Sequence, residues 1–178
     1  MPELAEKYPS NEMRGRLRRQ AWMVWGIALW VVLIWVLIIV APPFLITNGN
    51  EGLSTQIYTF FSYICHQKPE RSFFVLGYQF AVCSRCFGVY FGLLAGIATY
   101  PLWRDVDNIE PLPRIWLLLS LIPIGIDWTL GVLGIWENTF ASRFITGSIL
   151  GFACAVFVVP ALVEIVRNLT NKRLAVTG

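Results

Sequence analysis

Residues 21–41, AWMVWGIALWVVLIWVLIIVA, carry no charge over their whole length. A helix crosses the ~30 Å hydrocarbon core of a bilayer in roughly 20 apolar residues, so this run reads as a membrane span. That constrains the rest of the chain, because backbone polar groups in lipid must be bonded internally and helices are the simplest way to do it. The run is too long for the apolar core of a signal peptide, and no small-residue cleavage site follows it. Arg14, Arg16, Arg18 and Arg19 stand directly before it. Such clusters are held on the cytoplasmic side.

The rest of the chain is of the same kind. Hydrophobic residues make up 56% of the 178 and charged residues 14%, against about 25% charged in typical soluble domains. Eight Trp, twelve Phe and six Tyr add aromatic weight. This describes a polytopic membrane protein with no separate soluble domain. The net charge of +3 is no nucleic-acid signal, because the cations flank apolar runs. The partners expected are the lipid bilayer and either membrane-protein partners or a homo-oligomer, with no nucleic acid.

Residues 1–20 are polar and read as a flexible or interfacial cytoplasmic segment; residues 21–178 form one transmembrane domain. Further spans are expected at about 87–103, 115–134 and 143–165, with an outer loop over 42–86. Pro42 and Pro43 are expected to end the first span, since proline cannot continue a helix. Within the loop, a short amphipathic helix is expected over about 54–64, and the β-formers around Gly77 suggest a small hairpin. The fold class is therefore an all-α membrane protein, a four-helix transmembrane bundle with a cysteine-containing outer loop. With four spans, Lys7, Arg14, Arg16, Arg18, Arg19, Arg104, Arg114, Arg167, Lys172 and Arg173 fall on one side, and Lys68, Arg71, Arg85 and Arg143 on the other. The asymmetry puts both termini in the cytoplasm of a cell inner (plasma) membrane and the loop on the periplasmic or outer side.

Small residues recur at four-residue spacing in two spans: Gly88, Gly92 and Gly96, then Gly147, Gly151 and Ala155. Such stripes let helix backbones approach closely in lipid, so these two helices are expected to touch along them.

The soft-ligand chemistry is gathered in one window, ICHQKPERSFFVLGYQFAVCSRC. It holds Cys65, Cys83 and Cys86 of the chain's four cysteines, and its single histidine, His66. CSRC is a C-x-x-C, which serves metal ligation and thiol redox chemistry alike. Cys65, His66, Cys83 and Cys86 would complete the four N or S ligands that zinc wants. Against this, Cys65 and His66 are adjacent, and neighbouring side chains tend to diverge. The redox reading uses the same sulfurs: Cys86 lies just before the first turn of the second span, where a helix N-terminus favours thiolate, Arg85 and Arg71 add positive charge, and Cys65 is the exchange partner. A disulfide that merely staples the loop is the third reading. Cys154, mid-span among apolar residues, is a packing residue.

Asp127 sits within the third span, in IPIGIDWTLG. An ionisable group at that depth costs about 2.5–3.5 kcal/mol on insertion scales and normally has a partner. Arg143, at the start of the fourth span, is the partner expected; Asn138, Thr146 and Trp128 lie within reach. The pair serves either a polar site beneath the cysteine loop or the register of the helices.

The pattern CHQ, RSF, G-x-Q and V-C-x-R-C-x-G-x-Y-x-G resembles that of a family of small prokaryotic membrane proteins classed as domain of unknown function 2085. Here it runs through Cys65-His66-Gln67, Arg71-Ser72-Phe73, Gly77 with Gln79, and Val82-Cys83, Arg85-Cys86, Gly88, Tyr90 and Gly92, with Ile126-Asp127, Arg143 and Thr146-Gly147 downstream. The resemblance covers about residues 55–155. It implies that these residues form the centre of the protein and carries no reaction with it. In layout alone the chain is also similar to the disulfide-generating quinone reductases of bacterial inner membranes, which have a C-x-x-C at the outer end of a span; the CHQ element is not part of that pattern.

The sequence thus leads to a zinc site of Cys65, His66, Cys83 and Cys86, with Gln67, Arg71, Arg85, Asp127 and Arg143 around it. The alternatives are a thiol–disulfide oxidoreductase using Cys65, Cys83 and Cys86 with a quinone as electron acceptor, and an accessory subunit of a larger membrane complex.

Overall fold

The computed structural model describes residues 11–110 and 112–177. Lys7, with the rest of segment 1–10, lies outside the described residues, as do the side chains of Lys172 and Arg173. The chain is built from five α-helices and one hairpin: α1 Asn11–Thr47, α2 Glu51–Ser62, β1 Ser72–Val75, β2 Tyr78–Cys83, α3 Ser84–Thr99, α4 Ile115–Val132 and α5 Phe140–Thr177. Among the described residues three helices are long and apolar enough to cross a membrane, in α1, α4 and α5. Their outer surfaces carry large apolar side chains, with Trp30 65% exposed and Trp116 60%, as lipid contact requires.

Four differences from the sequence reading have physical causes. Residues 11–20 are not a separate segment; they continue α1 toward its N-terminus. Pro42 and Pro43 do not end α1, which runs on to Thr47. Each proline removes one backbone hydrogen bond, but both rings are fully buried where α1 packs on α2 and β2. That burial offsets the loss, and Ser54 Oγ of α2 donates to Pro42 O of α1 (3.5 Å). The segment expected as the second span is a shorter helix, α3, of 16 residues; it begins at Ser84, so Cys86 lies inside its first turn rather than before it. Last, α5 begins at Phe140 and runs well past Ile165.

The hairpin expected at Gly77 is present. Leu76 (φ 55°) and Gly77 (φ 83°) form its two-residue turn, and two positive φ values are what a type I′ turn demands. The register Ser72↔Cys83, Phe74↔Gln79 places four residues of β2 against two steps of β1. This bulge breaks the alternation of the strand and lets Phe80, Ala81 and Val82 all be buried in succession.

The glycine stripes meet as expected. A Cβ built on Gly88 would collide with the carbonyl of Phe144, one on Gly92 with that of Ser148, and one on Gly151 with that of Val89. Helix α3 therefore lies backbone to backbone on α5, and α1 packs on its other side.

Two buried clusters sit at opposite ends of this core. One holds Ala21, Ile97, Tyr100, Val106, Ala155, Val159 and Val163. At this end Trp25 Nε1 donates to Ile97 O (2.8 Å), Arg167 Nη2 to Asp107 O (3.1 Å), and Gln20 Nε2 to Thr170 Oγ1 (2.9 Å). The start of α1, the 104–114 loop and the end of α5 thus share one end. The second cluster holds Ile39, Phe61, Cys65, Phe80, Ala81 and Val82, and it positions the cysteines.

Candidate functional site

Three separate elements bring the cysteines together. Cys65 follows α2 and is buried, at 6% exposure. Cys83 ends β2 and is the residue immediately before α3. Cys86 stands one turn on. The sulfurs of Cys65, Cys83 and Cys86 all lie within 4.8 Å of one another, and none is bonded to another.

The loop that delivers Cys65 is tied down by side chains on both sides. Gln67, at φ 47°, donates through Nε2 to Tyr58 O of α2 (2.8 Å) and to Ala81 O of β2 (2.7 Å). Tyr58 Oη donates to Gln79 O (2.5 Å), and Gln79 Nε2 returns a bond to Gln67 O (3.3 Å). Ser72 Oγ donates to Lys68 O (2.9 Å). A residue outside the ordinary φ range persists where its surroundings over-determine it; here that fixes the turn after Cys65. Gln67 therefore holds the loop that carries Cys65; Gln79 was marked in the sequence by the G-x-Q pattern, whereas the role of Tyr58 left no sequence signal, since its partners lie 9 and 21 residues away.

The electrostatics favour a single thiolate, at Cys83. The Cys83 amide donates to Cys65 Sγ (3.2 Å). The Cys83 thiol is held well below its usual range, first by hydrogen bonding with Cys65, then with Cys86, helped by the backbone amides of Cys86 and Arg85 at the start of α3. Hydrogen bonds donated to the charged form lower a pKa in this way.

His66 is not brought into the group. It is exposed and lines a cavity of about 270 Å³ with Lys68, Arg71 and the sulfurs of Cys83 and Cys86. Cys65 turns inward and its neighbour turns outward, as adjacent side chains tend to.

Asp127 is paired, but with Arg85 rather than with Arg143. The Arg85 guanidinium contacts Asp127 Oδ2, and Asn138 Nδ2 donates to Asp127 O (2.7 Å) and Oδ2 (3.1 Å). Arg143 lies close enough to feel Arg71, Arg85 and Asp127 electrostatically without forming an ion pair. Arg71, Arg85 and Arg143 line a second, polar cavity of about 520 Å³. Cys154 is far from all of this along α5.

Fold and site together define a class, a helical membrane protein with a cluster of three thiols at one end of its core. The chain belongs to the family described as "Predicted membrane protein (DUF2085)", which matches residues 65–157. It is 40% identical over 121 residues to an uncharacterised protein of Methanocaldococcus jannaschii, covering 67% of this chain and 77% of the relative. It is likewise 40% identical over 98 residues to an uncharacterised protein of Methanothermobacter thermautotrophicus, covering 54% of this chain and 85% of the relative. No solved structure matches it. The family match begins at Cys65 and so includes the thiol cluster and the Arg85–Asp127 pair, while α1 precedes it.

Proposed function

We propose that this membrane protein holds a zinc ion on Cys65, Cys83 and Cys86. The observation that carries the reading is the convergence of three sulfurs rather than two. A disulfide needs one pair and leaves the third thiol without a task. Around a tetrahedral ion with Zn–S bonds of ~2.3 Å, sulfurs stand roughly 3.8 Å apart, and the spacing here is of that order. Amides aimed at the sulfurs stabilise the thiolate form that a metal requires. The same cysteines line a cavity with His66, Lys68 and Arg71, through which an ion held on the three sulfurs would be reached.

Elemental analysis after anaerobic purification tests this. Stoichiometric zinc is expected in the parent protein and its loss in Cys83→Ser. His66→Ala is expected to keep the metal; loss of zinc there would place the imidazole in the coordination sphere. No zinc in the parent protein would sink the proposal.

In the same reading α3 is a fourth membrane-embedded helix. Its 16 residues rise about 24 Å, short of the ~30 Å core, with the buried hairpin and α2 filling the remaining depth. The arginines before α1 favour a cytoplasmic N-terminus and hence an outward thiol cluster. A membrane-impermeant maleimide added to intact cells after chelation should label these cysteines; labelling that requires disrupted membranes would reverse the orientation.

A second reading rests on the placement of Cys86 in the first turn of α3 with Cys65 in reach. Two of the thiols would form a disulfide, losing two protons and two electrons, and a quinone would accept them to become a hydroquinone. Thiol trapping distinguishes it: a quinone-dependent conversion of two free thiols to a disulfide supports this chemistry, and its absence in zinc-free protein removes it.

A further inference from the structure

The polar cavity beside the thiols has features that the metal reading does not use. Three guanidiniums line it, from Arg71, Arg85 and Arg143. Asp127 neutralises Arg85. Arg71 and Arg143 have no carboxylate within ion-pair distance among the described residues, although Glu70 and Glu137 also line the cavity, both exposed. Arg143 is only part-exposed and is held near two like charges. Like charges gathered near one another repel, and Asp127 offsets this at Arg143 only in part.

The cavity also has an apolar continuation. Trp136 lines both it and a groove of about 500 Å³ between α4 and α5, walled by Ile122, Ile126 and Leu130 with Asp127 and Thr146. A polar pocket that leads into an apolar groove on a lipid-facing helix fits an amphiphile.

From this arrangement we infer that the cavity binds an anionic phospholipid, with its phosphate between Arg71 and Arg143 and an acyl chain along Ile122, Ile126 and Leu130. Arg forks suit phosphate oxygens, and cationic pockets between membrane helices are established lipid headgroup sites in general. The sulfurs take no part, although Arg71 lines both this cavity and the one over the thiols.

The test titrates detergent-solubilised full-length protein with phosphatidylglycerol, phosphatidylcholine or inorganic phosphate. Bound lipid is read by native mass spectrometry and stability by the unfolding midpoint. Phosphatidylglycerol is expected to be retained and to raise the midpoint, whereas phosphatidylcholine and inorganic phosphate are not. Charge-assisted hydrogen bonds contribute ~1.5–3 kcal/mol, so Arg143→Gln should weaken retention by roughly tenfold or more. Arg71→Gln, at an exposed position on a turn, should do the same with the lipid-free midpoint unchanged, which guards against misfolding as the cause. Equal retention of phosphatidylcholine, or retention of phosphatidylglycerol insensitive to both substitutions, would overturn the inference. A midpoint raised equally by inorganic phosphate would show an anion site that does not recognise lipid.

Discussion

At the scale of single residues, the pair that decides most is Arg85 with Asp127. The Asp127 side chain is 8% exposed and that of Arg85 22%, and the carboxylate also takes a bond from Asn138. Removing one member of a buried pair leaves the other charge uncompensated, at about 3–5 kcal/mol; the partial exposure of Arg85 puts the expectation here nearer 2–4 kcal/mol. Asp127→Asn and Arg85→Gln should each destabilise the protein in detergent, and the double substitution should cost little more than either alone. Additive effects in such a cycle would show that the two groups do not interact. The expected partner, Arg143, illustrates what a sequence withholds. Depth along a helix follows from residue number, so Asp127 was legible as a buried charge near the cysteines. The direction each helix presents to its neighbours is not, and both arginines lie at the right depth. His66 is similar: the pattern marked it, and only the backbone after Cys65 settles that it faces outward.

At the scale of elements, contact between α3 and α5 was legible because it depends on spacing alone. Gly92 and Gly151 each face a partner carbonyl so closely that no side chain fits. Gly92→Leu must push two helix backbones apart, and overpacking already costs about 1–3 kcal/mol where side chains alone must yield. A loss above that range, or failure to assemble, is expected in a folding assay. Gly26→Leu is the comparison, since a Cβ there meets nothing within 4 Å and should change stability little. Equal effects at both positions would rule out the close approach as the reason for glycine. The ends of elements were harder to read. Two consecutive prolines normally stop a helix, but in α1 tertiary burial overrides that preference. The hairpin was marked by Gly77, whereas its bulge was not, because Phe80, Ala81 and Val82 give no alternation from which to fix a register.

Over the whole molecule, the two buried clusters divide the labour. The cluster around Ile97, Tyr100 and Val159 joins the start of α1, the 104–114 loop and α5 through helix packing and hydrogen bonds from side chains to backbone carbonyls. The cluster around Phe61, Cys65 and Val82 is assembled from a short helix, a loop and a hairpin that pack on α1. A two-stranded hairpin is marginal without support. Here the support comes from the rings of Phe73, Phe80 and Phe87 on one side and, under the metal proposal, from zinc tying Cys65 to Cys83 and Cys86 on the other. Metal binding free energy is then folding free energy for that end alone. Chelation should therefore raise amide hydrogen exchange across residues 63–83 and leave residues 93–100 and 155–163 protected. Acidification should do the same, because protons compete with the ion for the sulfurs. If chelation instead opens both ends together, the metal stabilises the whole bundle rather than one end of it, and the hairpin is no more dependent on the thiols than the helices are.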